Sequence, residues 1–198
     1  MVDPAAPVLA KAVLRERLLG RRRALPAEQG RAAAAAVADI LVQALAGVRT
    51  LAAFVPDATE PGHGRLPAAL AGLGARVLLP VVPPGGRTLD WAVGSGRLAP
   101  GRFGLLEPVG PRLGPDALGT ADVVVVPALA VDRAGTRLGR GGGYYDTSLV
   151  HARSDAVLVA LLFDGERVDE LPAEAHDRPV TAVVSPSGGW EELPGRPS

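Results

Sequence analysis

The feature that most constrains the fold of this 198-residue chain is a buried strand that runs directly into a glycine-rich loop. Residues 123–126 are four consecutive valines, and a short, wholly apolar, β-branched run predicts a buried strand. Pro127 ends the strand, four glycines then punctuate residues 139–143, and a helix is predicted to begin near Tyr144.

The glycine-rich loop has the composition of an anion-binding site. Glycines let backbone N–H groups approach an anion closely, and the N-terminus of the following helix would add its dipole. Arg137 and Arg140 supply planar guanidinium groups that match phosphate oxygens. Asp146 follows them and suits the hard cation that accompanies a polyphosphate. We therefore interpret this loop as a nucleoside triphosphate site that uses Mg²⁺.

The loop does not match the common nucleotide-binding motifs. The glycine run leads to Tyr144 and Tyr145, where GxxxxGK[ST] would require lysine and a hydroxyl residue. Tyr144 also stands where GxGxxG would require its third glycine. A flexible turn in a chain with 25 glycines remains the alternative interpretation.

Composition excludes several classes of protein. Lys plus Arg equals Asp plus Glu at 21 each, so no net charge attracts nucleic acid or anionic lipid. The absence of cysteine excludes disulfides, thiolate metal sites and a cysteine nucleophile. No apolar run reaches membrane-spanning length, and no signal-peptide pattern is present. We expect a cytoplasmic monomer whose partners are small molecules, with neither nucleic acid nor membrane among them.

Predicted strands and helices alternate along the chain. Helices are predicted over residues 5–24, 26–46 and 66–73, in addition to the one that begins near Tyr144. Strands are predicted over residues 49–55, 75–79, 89–93, 123–126, 156–163 and 181–184. The alternation favours a three-layer α/β/α sandwich with a mostly parallel sheet, formed by one domain over residues 1–198. Residues 1–4 and 186–198 are expected to be frayed.

The first helix carries a possible second set of cations for the anion site. Lys11, the only lysine in the chain, and Arg15 are four residues apart and share one helix face. A solvated amphipathic face is the alternative interpretation, and residues 21–23, all arginine, are expected to form a solvated helix end. Glu60 lies in a polar loop after the strand at 49–55, where an α/β sheet would hold a ligand.

Three segments resemble the 5-formyltetrahydrofolate cyclo-ligase family. In that family, a strand ending in Pro is followed by Asp-x-x-Gly-x-Arg-Leu-Gly-x-Gly-x-Gly-Tyr-Tyr-Asp. The residues in register with this pattern are Asp132, Gly135, Arg137, Leu138, Gly139, Gly141, Gly143, Tyr144, Tyr145 and Asp146. Residues 100–108 resemble the family's Gly-x-Phe-Gly-x-x-Glu-Pro segment, and residues 171–180 resemble its closing Leu-Pro-x-Glu-x-His-Asp-x-x-Val segment.

The resemblance implies a fold similar to the glucosamine-6-phosphate deaminase, ribose-5-phosphate isomerase and CoA-transferase group. It implies an ATP-dependent ligase that cyclises 5-formyltetrahydrofolate to 5,10-methenyltetrahydrofolate through phosphorylation of the formyl oxygen. The implied ATP-binding residues are Lys11, Arg15, Arg137, Leu138, Gly139, Arg140, Gly141, Gly142, Gly143, Tyr144 and Tyr145. The implied folate-binding residues are Val55, Glu60, Arg140, Gly141, Gly142, Gly143 and Tyr144. Arg140, Lys11 and Tyr144 are the catalytic candidates, and Asp146 and Asp177 are the implied Mg²⁺ ligands.

Some positions depart from the family pattern, and the roles of others are not decided by the sequence. Thr181 stands where the family commonly has a second aspartate, and residues 61–63 depart from the family after Glu60. Trp91 and Phe103 are as consistent with core positions as with the site. Two other functions therefore remain: a catalytically idle nucleotide- or folate-binding paralogue, and a small-molecule kinase. A kinase would need a general base, for which His176 and Asp132 are the candidates.

Overall fold

The computed structural model describes residues 6–173 and 177–194, which form four α-helices and eleven β-strands. The α-helices are α1 (Ala6–Arg23), α2 (Ala27–Ala44), α3 (Leu66–Ala71) and α4 (Tyr144–Ser148). The strands are β1 (Thr50–Ala52), β2 (Arg76–Val81), β3 (Asp90–Val93), β4 (Leu98–Pro100), β5 (Leu106–Pro108), β6 (Val123–Pro127), β7 (Ala130–Val131), β8 (Arg137–Leu138), β9 (Val157–Leu161), β10 (Ala182–Ser185) and β11 (Gly189–Glu192). Short 3₁₀ helices are formed by Arg102–Gly104, Pro115–Thr120 and Leu149–His151.

Seven strands form a central, mostly parallel sheet in the order β11-β10-β9-β6-β1-β2-β3. The five inner strands run parallel, and the edge strands β3 and β11 pair antiparallel to their neighbours. The valine run forms β6 near the centre, paired with β1 on one side and β9 on the other. Alternate valines enter different hydrophobic clusters, 124 and 126 on one face of the sheet and 123 and 125 on the other. The prediction of a buried strand is confirmed.

Helices cover both faces of this sheet. On one face, Val37, Leu41 and Leu45 of α2 pack with α3 against alternate residues of the inner strands. On the other face, α4 and the 3₁₀ helices contribute residues such as Leu118 and Leu149 to a cluster that includes Trp91. The predicted α/β class with a mostly parallel sheet and flanking helices is confirmed.

The C-terminal segment contains a strand that the sequence analysis missed. Residues 186–198 were expected to be frayed, but β11 pairs with β10 through residues 189–192. Ser185 Oγ accepts a hydrogen bond from the Gly188 N–H in the connecting turn, and the Leu193 side chain is buried. The expectation is wrong for this segment. Its composition is typical of a loop, but its backbone groups are satisfied by hydrogen bonds with the free edge of β10. Residues 1–4 and 195–198 lie outside the described residues.

The expectation of a solvated end to α1 is wrong for one of its three arginines. Arg22 is 6% exposed, whereas its two neighbours are exposed. The Arg22 guanidinium donates to both carboxylate oxygens of Glu166, at 2.7 and 2.6 Å, and to the carbonyl oxygen of Ala128. It also lies 5.3 Å from the centre of the Phe163 ring. The last turn of α1 is therefore fixed against the segments that follow β6 and β9.

Chain topology places a crevice between β1 and β6. From β1 the chain adds β2 and β3 on one side, and it later returns to add β6, β9 and β10 on the other. Ligands of open α/β sheets bind outside the carboxyl ends of the strands where the strand order reverses in this way. The segments that follow β1 and β6 meet at this point.

Candidate active site

A cavity of about 540 Å³ lies at this reversal point. Its walls come from the loop after β1, the ends of β2 and β6, the β4–β5 hairpin and the stretch from Arg137 to Asp146. Cavities of roughly 300–1,000 Å³ are the usual size of small-molecule sites. The folding of five separate segments around one cavity therefore brings the glycine-rich loop and the Glu60 loop into a single candidate site.

The glycine-rich loop connects β8 to α4 and lines the cavity with residues 139–143. Gly143 has φ of 72°, a left-handed conformation that glycine adopts without strain, and it directly precedes the first turn of α4. The helix predicted to begin near Tyr144 is short, because α4 spans five residues and continues as a 3₁₀ turn over Leu149–His151. The dipole of so short a helix is small, so the loop and its arginines provide most of the positive potential.

Arg140 joins the glycine-rich loop to the loop after β1. Its Nη2 donates to Thr59 Oγ1 at 2.6 Å and lies 2.9 Å from Asp57 Oδ2, while its Nε lies 3.4 Å from Glu60 Oε1. These three acceptors belong to one tight loop, in which Asp57 Oδ1 also accepts a hydrogen bond from the Thr59 N–H. Arg140 therefore connects the two halves of the site that the sequence analysis treated separately.

Glu60 and Tyr145 form the buried polar interior of the cavity. The Glu60 carboxylate accepts a hydrogen bond from the Asp57 N–H at 3.0 Å. Burial and the nearby Asp57 charge raise the pKa of Glu60, while the hydrogen bond from Asp57, Arg140 and Arg22 oppose that shift. Burial, and next the Glu60 charge, also raise the pKa of Tyr145, whose hydroxyl is buried without a hydrogen-bond partner in residues 6–173 and 177–194. A polar ligand could satisfy these groups.

Arg137 and Asp146 form an ion pair beside the loop. The Arg137 side chain is 6% exposed and that of Asp146 is 40% exposed, so the carboxylate reaches the cavity and the guanidinium does not reach solvent. Burial lowers the pKa of Arg137, and the Asp146, Tyr145 and Asp177 charges oppose that shift. Asp177 thus lies within electrostatic range of the same guanidinium, although it lines a smaller neighbouring cavity of about 180 Å³.

A close backbone contact brings the Asp177 segment to the β7–β8 hairpin. The carbonyl oxygen of Val180 lies 2.3 Å from where a Cβ on Gly135 would be, and the Gly135 carbonyl accepts a hydrogen bond from the Val180 N–H. Glycine at this position, with φ of 83°, is therefore required by both space and conformation. Asp146 contacts the Arg137 guanidinium and Asp177 lies within its electrostatic range, but the two carboxylates line different cavities.

The first helix reaches the loop through Arg15. Its Nε donates to the Gly139 carbonyl oxygen at 2.9 Å, and its guanidinium carbon lies 3.7 Å from where a Cβ on Gly141 would be. Lys11 lies one turn earlier on α1 and is half-buried. Neither residue lines the cavity itself, whereas Val55, the 139–143 glycine loop, Tyr144 and Tyr145 do. Leu138 is buried in the β7–β8 pairing and supports the loop from below.

The structure shows the surroundings of several residues whose roles the sequence did not decide. Trp91 is buried in the core, but Phe103 is 70% exposed at the cavity wall, where its ring contacts that of Tyr144. Asp132 is buried and accepts hydrogen bonds from three backbone N–H groups, so it stabilises a turn and is wrong as a candidate general base. Thr181 bridges β9 and β10 through the backbone of Leu158. His176, the other candidate base, lies outside the described residues.

Four cavity or cavity-adjacent residues were missed by the sequence analysis. Asp57 and Thr59 form a local turn whose Asp-x-Thr pattern could have indicated it. Glu107 lines the cavity and accepts a hydrogen bond from the Val82 N–H at 3.0 Å. Arg22 pairs with a residue 144 positions away, so no local pattern could have revealed it.

Two other kinds of feature are absent from the described part of the chain. Among residues 6–173 and 177–194, no three His, Asp or Glu side chains cluster closely enough to form a complete metal site. None of the helices in the described part of the chain combines the length and apolarity that crossing a membrane requires.

Comparison with known proteins places this chain in a family. A sequence model of the 5-formyltetrahydrofolate cyclo-ligase family matches residues 8–186. A curated 5-formyltetrahydrofolate cyclo-ligase from Mycolicibacterium smegmatis is 43% identical over 184 residues, which cover 90% of this chain and 95% of that protein. A second relative of that name, from Escherichia coli K12, is 43% identical over 77 residues, which cover 37% of this chain and 41% of that protein.

Solved structures give the same result. The NMR structure of 5,10-methenyltetrahydrofolate synthetase from Aquifex aeolicus superposes with a TM-score of 0.72 and 26% identity, over 95% of each chain. A 5,10-methenyltetrahydrofolate synthetase from Mycoplasma pneumoniae superposes with a TM-score of 0.69 over 87% of this chain and 96% of that one. At 19% identity, this second likeness concerns the fold alone. The match over residues 8–186 and the identity with the Mycolicibacterium smegmatis protein show that this chain belongs to the 5-formyltetrahydrofolate cyclo-ligase family.

Proposed function

We propose that this protein is an ATP-dependent ligase that cyclises 5-formyltetrahydrofolate to 5,10-methenyltetrahydrofolate, with release of ADP and phosphate. The single observation that carries the proposal is the junction made by Arg140. One guanidinium connects the glycine-rich loop to Asp57, Thr59 and Glu60 at the wall of one cavity. A reaction that joins a phosphoryl donor to a pterin needs both substrates in adjacent halves of one site.

The chemistry divides into two displacements. The formyl oxygen attacks the γ-phosphorus of ATP, the bond to the ADP oxygen breaks, and an imidate phosphate forms. N10 then attacks the activated formyl carbon and loses its proton, after which the carbon–oxygen bond breaks and phosphate leaves. Phosphoryl transfer of this kind depends on positioning and charge neutralisation more than on a covalent protein group. The absence of cysteine is therefore no obstacle to this chemistry.

Each half of the cavity has a role in this proposal. Lys11, Arg15 and the loop from Arg137 to Tyr145 would bind ATP, with Arg140, Lys11 and Tyr144 as the catalytic candidates. Val55, Glu60 and the shared residues 140–144 would bind the folate. The Glu60 carboxylate is an acceptor for the amide-like N–H and amino groups of a pterin, and its burial removes competing water.

The residues also fit a magnesium ion as the cofactor. Mg²⁺ in ATP-dependent enzymes is typically held by one or two carboxylates together with substrate phosphates and water. Asp146 reaches the cavity, and Asp177 acts on the same guanidinium that Asp146 contacts. Asp146 would hold the ion at this cavity, and Asp177, which lines the smaller one, would act on it directly or through water. When bound, Mg²⁺ would neutralise charge on the ATP phosphates.

The magnesium assignment predicts the behaviour of two conservative variants. Asp146→Asn and Asp177→Asn are each expected to raise the Mg²⁺ concentration needed for half-maximal activity by at least about tenfold. Asparagine keeps the size of each side chain and removes the charge that attracts the ion. Activity titrated with Mg²⁺ measures the effect, and Asp155→Asn, an exposed acid paired with Arg153, is the matched control. Unchanged titration curves for both variants would contradict the assignment.

One assay separates the proposed reaction from its alternatives. Purified protein with 5-formyltetrahydrofolate, ATP and Mg²⁺ is expected to form 5,10-methenyltetrahydrofolate and ADP in equal amounts. A kinase would form a stable phosphoester, and a binding module would form no product. The kinase alternative is weaker on one of its two candidate bases, because Asp132 is buried and accepts hydrogen bonds from three backbone N–H groups.

The folate half of the site is tested by Glu60→Gln. The variant keeps the side chain's shape and replaces one acceptor oxygen with an NH₂ donor that would face the substrate's own donors. We expect the KM for 5-formyltetrahydrofolate to rise by at least roughly tenfold, which corresponds to about 1.4 kcal/mol, while the KM for ATP stays near that of the wild type. Steady-state kinetics with each substrate varied in turn provide the measurement. An equal rise in both KM values would indicate that the variant disrupts the loop. An unchanged KM for 5-formyltetrahydrofolate would show that Glu60 does not contact the folate.

A further inference from the structure

The charges around the glycine-rich loop are partly neutralised before any ligand binds. The Arg137 guanidinium is paired with Asp146, and the Arg140 guanidinium contacts Asp57 and Glu60. A cation already paired with carboxylates adds less attraction to an incoming polyphosphate than its formal charge suggests. Two of the residues expected to supply positive charge therefore supply less of it than the sequence suggested.

Arg87 places another guanidinium against this loop. Its Nη1 lies 3.4 Å, and its Cδ 3.5 Å, from where a Cβ on Gly143 would be, so the side chain lies directly over the last glycine before α4. Arg87 is exposed, and within residues 6–173 and 177–194 no carboxylate pairs with it. Its positive charge is therefore not neutralised by the residues that pair with Arg137 and Arg140.

Two hydrogen bonds hold the segment that carries Arg87 to α4. Thr147 Oγ1 donates to the Arg87 carbonyl oxygen at 2.7 Å, and the Leu89 N–H donates to Ser148 Oγ at 2.8 Å. Both anchoring side chains lie one turn after Gly143, on the helix that the glycine-rich loop leads into. The backbone of Arg87 is thus held in a constant position relative to the loop, although the segment between β2 and β3 is far away in sequence.

We propose that Arg87 is a further anion-binding residue of this site and that it contacts the phosphate chain of ATP beside Gly143. This inference rests on the proposed function. Arg15 approaches the loop from α1, whereas Arg87 approaches it from the β2–β3 segment, so the two guanidinium groups reach different glycines of one loop. The charge and fork geometry of a guanidinium suit phosphate oxygens. A folate carboxylate offers related chemistry, and the experiment distinguishes the two sources.

Arg87→Ala is expected to raise the KM for ATP by about tenfold and to leave the KM for 5-formyltetrahydrofolate within about twofold of the wild-type value. Arg87→Lys is expected to recover part of the loss, because it keeps the charge without the planar fork. The matched control is Arg112→Ala, which removes one exposed arginine that does not lie against Gly143. Calorimetry with adenosine, ADP and ATP adds a measurement that does not need turnover: the loss of affinity in Arg87→Ala should grow with the number of phosphates.

Each outcome supports or overturns the role of Arg87. An active Arg87→Ala protein with wild-type ATP affinity overturns it, and so does a loss matched by Arg112→Ala. A rise in the KM for folate alone assigns Arg87 to a folate carboxylate and overturns the phosphate contact. A wild-type protein that binds ATP without forming the methenyl product refutes the proposed function. In that case, a phosphate-dependent loss in Arg87→Ala still supports the contact. A wild-type protein that does not bind ATP refutes both.

Discussion

Glu166→Ala is expected to lower the free energy of unfolding by about 3–5 kcal/mol, the range for removing one partner of a buried ion pair. The Arg22 and Glu166 side chains are 2% and 4% exposed, so water cannot replace the lost carboxylate. The variant leaves the Arg22 guanidinium buried with the Ala128 carbonyl and the Phe163 ring as its remaining contacts. It also removes the acceptor for the Phe163 N–H.

Urea denaturation of the wild type and the variant measures this loss directly. For a chain of this length, the same loss corresponds to a fall in Tm of about 6–20 °C. Glu166→Gln, which keeps the size but not the charge, is expected to lie between the wild type and the alanine variant. The double variant Arg22→Met/Glu166→Leu is expected to recover much of the stability, because it leaves no buried charge unpaired. A loss below about 1 kcal/mol in Glu166→Ala would show that the pair does not hold α1 to the sheet.

Arg140→Ala is expected to lower kcat/KM by about a hundredfold, which corresponds to about 2.7 kcal/mol. The variant removes a cation from the ATP half of the site and also the group that holds Asp57, Thr59 and Glu60 together. The Asp57 charge raises the pKa of Glu60, and the Arg140 charge opposes that shift. Without Arg140, the repulsion between the two carboxylates would be less compensated. We therefore expect the variant to bind both substrates more weakly.

Steady-state kinetics with each substrate varied in turn test this double role. Arg140→Lys is the informative control, since a lysine keeps the charge but cannot reach three acceptors in a fixed planar geometry. It is expected to restore ATP binding more than folate binding. If Arg140→Ala raises only the KM for ATP and leaves the KM for folate unchanged, Arg140 does not organise the loop after β1.

Much of the fold was predictable because its causes are local. The valine run at 123–126 forms a strand buried on both faces because every side chain in it is apolar and β-branched, whichever neighbours it meets. Apolar spacing predicted the first two helices to within two residues at either end, since both bury one face against neighbouring segments. The glycine-rich loop and its arginines were equally visible, because the signature in residues 132–146 is continuous in sequence.

Tertiary structure alone decided how charges and edges are matched. Arg22 is indistinguishable from the arginines beside it in sequence, and only the packing of α1 against the ends of β6 and β9 buries it with Glu166. The chain likewise has several acids and several arginines near the site, and the fold determines which of them neutralise one another: Arg137 pairs with Asp146, and Arg140 contacts Glu60. Strand β11 forms because β10 offers an open edge. The physical reason is the same in each case: hydrophobic periodicity is a property of neighbouring residues, whereas an ion pair or a strand edge needs a partner that the chain brings near only by folding.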